Sequence, residues 1–387
     1  MTTITSLAPQ QLHRACDPDQ FTFQTTAEIA DLTDIIGQTR AMDAVRFGSD
    51  IRREGYNLFV LGSSGMGKHS LVQQFLENRA SREAEPADWC YLNNFAQPHK
   101  PKVLKLPCGK GEELRLHMER LVDYLRSAIP VQFESEEYRN RVNAIQQEYS
   151  ERQEREITGL GEEAEKKEII LLRTPEGFAL APSHNHEVIP PEEYDKLPQE
   201  KKDQIEADIG ELQAHLEKIL SHLPQRRRER SERIKQLNHE IMRSTAAHMI
   251  DELRALYADL PDVLAYFDAV QQDMVMHVDD FRKPDESINI SGMSVVTHQT
   301  FNNYQVNVLT ANHEKPGAPI VCEDNPTYSN LVGRVEHISQ FGALVTNFTL
   351  IKPGALHRAN GGYLLLDIRK VLMQPFAWEG LKRALQA

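Results

Sequence analysis

Gly62-Ser63-Ser64-Gly65-Met66-Gly67-Lys68-His69 sets three glycines and a lysine at the spacing of a phosphate-binding loop. Glycines let backbone N–H groups close around phosphate oxygens, a following helix N-terminus favours anionic charge, and the lysine reaches the terminal phosphates. The flanks fit that chemistry. An apolar run, Tyr56-Asn57-Leu58-Phe59-Val60-Leu61, comes before, and Ser70-Leu71-Val72-Gln73-Gln74-Phe75-Leu76, helical in pattern, comes after. Strand, glycine loop and helix in that order predict a P-loop. The position after the lysine normally carries Ser or Thr, whose hydroxyl ligates Mg²⁺. Here it is His69, and Mg²⁺ prefers hard oxygen ligands. Ser70 is turned by about 100° around the helix and is a poor replacement. The residues thus favour nucleotide binding and leave hydrolysis in doubt. An ordinary strand-to-helix turn is the competing account of the same residues.

A second constellation lies near the other end. Gly361-Gly362-Tyr363-Leu364-Leu365-Leu366-Asp367 is an apolar run closing on a carboxylate. It fits a buried parallel strand with a Mg²⁺-organising Asp367 at its tip, the Walker B arrangement. Buried strands often end in Asp for other reasons, but the motif gains weight beside the glycine loop. Ile368 follows, where hydrolysing P-loop enzymes commonly place a Glu that polarises the attacking water.

The elements that must position these residues are read as α/β, a P-loop parallel-sheet core split by a large helical insertion. Residues 1–27 are a polar arm. Residues 28–109 are the first half of the core, with an amphipathic helix opening at Gly37-Gln38 (Ala41, Val45, Phe47), the glycine loop, and strands at 89–92 and 102–106. Residues 110–265 turn helical. Leu114, Met118, Leu121 and Leu125 form one stripe, and Tyr138, Val142, Ile145 and Tyr149 another. Ile205, Ile209, Leu212, Leu216, Ile219 and Leu223 alternate steps of four and three, the spacing of a coiled-coil seam. Between the helical arms, Ile169-Ile170-Leu171-Leu172-Arg173 and Phe178-Ala179-Leu180 read as a small β-hairpin. Residues 266–387 return to β character and form the second half of the core.

Composition excludes several classes. With 40% apolar and 26% charged residues and no long apolar run, the chain reads as soluble, without a membrane span or a secretion signal. A net charge of -13 argues against nonspecific nucleic-acid binding by the whole chain. The run Arg226-Arg227-Arg228-Glu229-Arg230 fits either a local nucleic-acid contact or a solvated helix face, and the interrupting Glu favours the face. Four cysteines without C-x-x-C spacing indicate neither a zinc site nor a disulfide framework, and fit a reducing cytoplasm.

Glu323-Asp324-Asn325-Pro326-Thr327-Tyr328, Asn330-Leu331-Val332-Gly333-Arg334-Val335-Glu336-His337, and Gly354-Ala355-Leu356-His357-Arg358-Ala359-Asn360-Gly361-Gly362-Tyr363-Leu364-Leu365-Leu366-Asp367 resemble Lon-related ATP-dependent proteases. The archaeal B-type and Lon-like C-type branches are the most similar, over residues 35–387. The resemblance implies an AAA+ core that binds ATP with Mg²⁺, is split by a helical coiled-coil insertion, assembles as a homo-oligomeric ring, and feeds polypeptide substrates to a C-terminal Ser–Lys peptidase domain. It places residues 62–69 on the nucleotide, Asp367 on the metal and in catalysis, and Gly37-Gln38 near the base. The chain ends at Ala387, soon after Asp367, so no sensor, lid or Ser–Lys dyad is assigned and no peptide-bond cleavage is expected of this polypeptide alone. Hydrolysis is expected to be weak.

AAA+ unfoldases commonly grip polypeptide with an aromatic residue beside Gly on a pore-facing loop, and Gln340-Phe341-Gly342 occupies such a place. Phe341 as an ordinary core residue is the alternative. Two other function classes compete with the Lon-like ATPase. One is an inactive ATPase-like scaffold of the same fold. The other is a DNA-maintenance ATPase of the SMC type, which needs a Leu-Ser-Gly-Gly-like signature where this chain has Ala359-Asn360-Gly361-Gly362.

Overall fold

The computed structural model describes every residue except 1–5, 14, 31–37, 52, 54, 64, 175–176, 185–186, 195–197, 283–286, 291–292, 297–298, 313–315, 341 and 387. The chain divides into two compact units, Met1–Arg79 and Ala80–Ala387.

In the first unit, short 3-10 turns precede α1 (Thr39–Asp50), and the glycine loop leads into α2 (Lys68–Ala80). Arg79 ties the two helices together, donating to Ser49 Oγ (3.0 Å) and Asp50 Oδ1 (2.6 Å). Val45 of α1 is buried, whereas Phe47 is exposed. Residues 56–61 form no strand, contrary to the sequence expectation. Tyr56, Leu58, Phe59, Val60 and Leu61 are all exposed, Leu61 at 86%. A strand is held by the N–H and C=O groups of a neighbour, and the described residues of this unit contain no strand to supply them.

The second unit opens on β1 (Asp88–Leu92) and β2 (Lys102–Leu106). A helical stretch follows: α3 (Lys110–Glu134), α4 (Glu136–Lys166), the strands β3 (Ile169–Thr174), β4 (Gly177–His184) and β5 (Glu187–Val188), α5 (Pro191–Tyr194), and the long α6 (Gln199–Leu256). Next come α7 (Pro261–Met276), α8 (Val278–Arg282), β6 (Ser287–Ile290), β7 (Met293–Val296), α9 (Gln299–Asn302) and β8 (Val306–Thr310). The last part holds β9 (Ile320–Glu323), α10 (Tyr328–Val332), β10 (Arg334–Val335), β11 (Ile338–Gln340), β12 (Ala343–Val345) and β13 (Ile351–Lys352). It closes with α11 (Ala355–Arg358), β14 (Tyr363–Leu366), α12 (Ile368–Met373) and α13 (Ala377–Gln386).

Ser135 separates α3 from α4. Its hydroxyl accepts from Tyr138 N (3.2 Å), the bond of an N-cap. The α3 stripe Leu114, Met118, Leu121 and Leu125 is fully buried. It packs with Met242 and Ile250 of α6, Phe267 and Val270 of α7, and Cys90 and Leu106 of the sheet in one core. Burying each such large apolar side chain stabilises by about 1.5–3 kcal/mol, so this cluster is the main store of stability in the unit. A second cluster joins Leu160 and Ala164 of α4 to Leu212, Leu216 and Ile219 of α6 and to Ile169 at the start of β3.

α4 and α6 run antiparallel, as their ion pairs require: Arg141 with Glu240, Glu156 with Arg226, and Lys167 with Asp208. Arg226 therefore leaves the solvated face that the basic run suggested. Its guanidinium donates to both Glu156 oxygens (2.6 and 2.5 Å), while Arg227, Arg228 and Arg230 stay exposed.

The sheets correct the expected architecture. β1 lies between β2 and β8 and is antiparallel to both. Parallel pairing is confined, among the described residues, to β9 and β14, with Leu366 opposite Glu323. The molecule is a mixed helix-and-sheet protein with small sheets, and the described residues form no continuous parallel P-loop core. A third cluster, Leu331, Ala355, Val371, Ala377 and Leu381, supports the β9–β14 pair.

Candidate functional site

The glycine loop turns through two left-handed residues, Gly65 (φ 83°) and Gly67 (φ 69°), a conformation that disfavours any side chain. α2 begins at Lys68, and Leu71 N donates to Gly67 O (2.9 Å) as its first helical bond. The amides of Lys68, His69 and Ser70 precede that bond and form the donor-rich helix start that suits an anion. Lys68 Nζ folds back on the loop, donating to Gly62 O (2.5 Å) and Ser63 O (2.9 Å). These are contacts a phosphate would replace. Gly62, Ser63, Gly65, Met66, Gly67 and His69 are exposed, and Ser64 lies outside the described residues, as does Gly37. The loop fits phosphate. It does not fit the usual Mg²⁺ ligation, since His69 presents nitrogen where a hydroxyl oxygen is needed.

The second element is built by β9 and β14. Gly361 and Gly362 make the entry turn. A Cβ on Gly362 would stand 2.0 Å from Pro319 O, so only glycine lets the chain approach this closely. Tyr363 N then donates to Pro319 O (2.8 Å), and the Tyr363 hydroxyl donates to Glu83 (2.9 Å). Residues 363–366 are half-buried rather than fully enclosed, because the parallel sheet has only two strands. At the carboxyl end, where ligands of open α/β sheets collect, the parallel register sets Asp367 beside Asp324, each one residue past a strand. Asp367 is exposed, and its Oδ1 accepts from Arg369 N (2.9 Å), so it N-caps α12. Glu323 accepts from Arg358 (2.9 Å) and from Asn325 N (3.1 Å). Asp324 pairs with Lys370 (3.1 Å).

Sequence reasoning quoted Glu323, Asp324 and Arg358 only within the Lon-like resemblance, gave them no role, and did not mention Lys370. A signal existed: Ile320-Val321-Cys322 closing on Glu-Asp has the same form as Tyr363-Leu364-Leu365-Leu366 closing on Asp. Among the described residues no group of three or more His, Cys, Asp or Glu is arranged to hold a metal ion. Ile368 packs against the cluster around Leu331 and Val371, so its side chain is part of the support and not directed at a reaction centre.

His357 braces the turn before β14. Gly354 N donates to His357 Nδ1 (3.2 Å), and burial lowers the imidazole pKa below its ordinary value. Cys90 is buried, and desolvation with Asp88 nearby pushes its thiol up to about 12, so it stays protonated as a core residue. Phe341 lies outside the described residues. Around it β11 and β12 pair antiparallel with Gln340 opposite Ala343, and Gly342 has φ 82°. Ile338 and Leu344 on this hairpin are 52% and 74% exposed.

A glycine loop opening a helix, and a parallel strand closing on a carboxylate, are features of AAA-type nucleotide-binding proteins. Residues 316–387 match the family described as LonB-like, AAA domain, and residues 88–121 match the Lon-like LonC helical domain. Both matched stretches are Lon-related. The first match covers β9 to α13 and includes Asp367; the second covers β1, β2 and the start of α3. Neither includes residues 62–69, and neither is to a peptidase domain. A comparison with curated proteins gave no match. Among the described residues, no helix is long and apolar enough to cross a membrane.

Proposed function

We propose that this chain is the ATP-binding AAA+ portion of a Lon-like ATP-dependent protease, engaging polypeptide substrates as a homo-oligomeric ring for a Ser–Lys peptidase domain. The match of residues 316–387 to a LonB-like AAA domain carries this reading. The glycine loop supports it: Lys68 and the first amides of α2 would hold the nucleotide phosphates. Asp367 is proposed as a Mg²⁺-binding carboxylate of the Walker B type. The β11–β12 hairpin, with exposed Ile338 and Leu344 flanking residue 341, would grip polypeptide through Phe341. Residues 110–265 are proposed as an insertion that mediates contacts, with a coiled-coil seam along α6. Four free cysteines are consistent with a reducing cytoplasm.

A second reading, a scaffold of the same family that binds nucleotide or partners without turnover, is favoured by two observations. His69 withdraws the hydroxyl ligand, and Ile368 is committed to packing. Phosphate release separates the two. The parent should turn over slower than ~1 s⁻¹, the low end of typical enzyme rates, and His69→Thr should raise that rate. A rate of zero in both proteins would favour the scaffold. Ile368→Glu is not a useful partner in this test, because it would press a carboxylate against an apolar cluster.

A further inference from the structure

α6 and α7 lie side by side, joined where Arg254 of α6 donates to Asp268 (2.7 Å) and to Gln271 Oε1 (2.9 Å) of α7. Along the same two helices a cavity of about 430 Å³ opens, lined by His239 and Arg243 from α6 and by Asp268, Gln271, Gln272, Val275 and Met276 from α7. His239 and Arg243 are four residues apart, and so are Gln271 and Val275, which places each pair on one helix face.

The polar groups here are not balanced. His239 Nε2 is shut off from solvent and has no hydrogen-bond partner among the described residues. Arg243 has no hydrogen bond or ion pair among the described residues. Arg254 already neutralises Asp268 and occupies the Gln271 oxygen, leaving the Gln271 amide nitrogen as a donor. What remains is one buried imidazole nitrogen without a partner, beside an exposed guanidinium that has no carboxylate of its own. The imidazole nitrogen is the group that asks for a partner, since buried polar groups are ordinarily hydrogen-bonded, and the positive charge beside it favours an acceptor with negative charge.

We propose that this cavity binds a singly charged carboxylate carrying a short apolar chain. The guanidinium of Arg243 takes the carboxylate, the Nε2–H tautomer of His239 donates a further bond, and the chain lies along Val275 and Met276. A dianionic phosphate suits the site less, because Arg243 is the one cation there without a carboxylate of its own. The site is independent of the glycine loop and of the nucleotide reading.

Titration calorimetry of the intact chain with sodium butanoate tests this, with butanamide and inorganic phosphate as the neutral and dianionic controls. The expected result is saturable butanoate binding, with both controls at least about tenfold weaker. Arg243→Gln should weaken butanoate about tenfold through the lost charge-assisted bond, while Arg227→Gln, on an exposed turn of the same helix, should not. An unchanged circular-dichroism melt of Arg243→Gln keeps the comparison valid, and His239→Leu, which removes the Nε2–H donor and should also weaken butanoate, serves as the second variant if it unfolds. No saturable binding, equal binding of butanamide or phosphate, or full binding by Arg243→Gln would overturn the proposal.

Discussion

The Asp367 carboxylate accepts a hydrogen bond from Arg369 N at 2.9 Å, so one residue both closes β14 and caps α12. The two roles can be separated by substitution, since Asn caps a helix about as well as Asp whereas Ala does not. Asp367→Ala should cost about 1 kcal/mol of stability, and Asp367→Asn close to none. If Asp367 also faces the metal, Asp367→Asn should abolish any gain in ATP affinity that Mg²⁺ gives the parent. A parent whose affinity ignores Mg²⁺ would leave Asp367 with the cap alone.

The hairpin around residue 341 gives a stability test. Described residues 337–339 and 342–344 are exposed, and a gripping role for Phe341 predicts that its side chain adds little to stability. Phe341→Ala should then leave the melting temperature nearly unchanged and weaken binding of an unfolded model protein. A core phenylalanine would instead cost about 3–5 kcal/mol. Lost stability with intact polypeptide binding would refute the gripping role.

His357 gives a pH dependence with a definite sign. Its folded pKa is lowered by burial, and its neutral Nδ1 accepts from Gly354 N. The stabilisation is therefore fully present above the unfolded value, about 6.5, and is lost as pH falls through the lower folded value. Hydrogen exchange at Gly354 and through α11 should quicken as pH drops below about 6.5, after correction for intrinsic rates. His357→Gln, which keeps an acceptor without titrating there, should flatten the profile. An equal pH response in both proteins would assign the effect elsewhere.

What could be read from residues alone was whatever is decided locally or by period. The α3 stripe and the seam through Leu212, Leu216 and Ile219 are buried as their spacing indicates, and β14 forms where four apolar residues precede Asp367. The Lon-related resemblance rested on residues 323–337 and 354–367, both within the LonB-like match. What could not be read depends on partners far along the chain. β1 is flanked by β8, about which nothing near residue 90 gives notice, and strand preference is set largely by such neighbours. Residues 56–61 have the composition of a strand but no strand beside them in their unit. Arg226 looked like a surface charge because Glu156, its partner, sits on another helix. Ile368 looked like a missing catalytic position, yet its packing against the cluster around Val371 gives it a structural use.

Nucleotide binding at residues 62–69 is tested by isothermal titration of ATP into the parent and into Lys68→Ala. Lys68 Nζ rests on Gly62 O and Ser63 O, so the variant loses no distant contact and should fold as the parent does. The parent should bind ATP saturably and the variant should lose about 1.5–3 kcal/mol, the contribution of one charge-assisted bond. No binding by the parent, or equal affinity in both proteins, would contradict it.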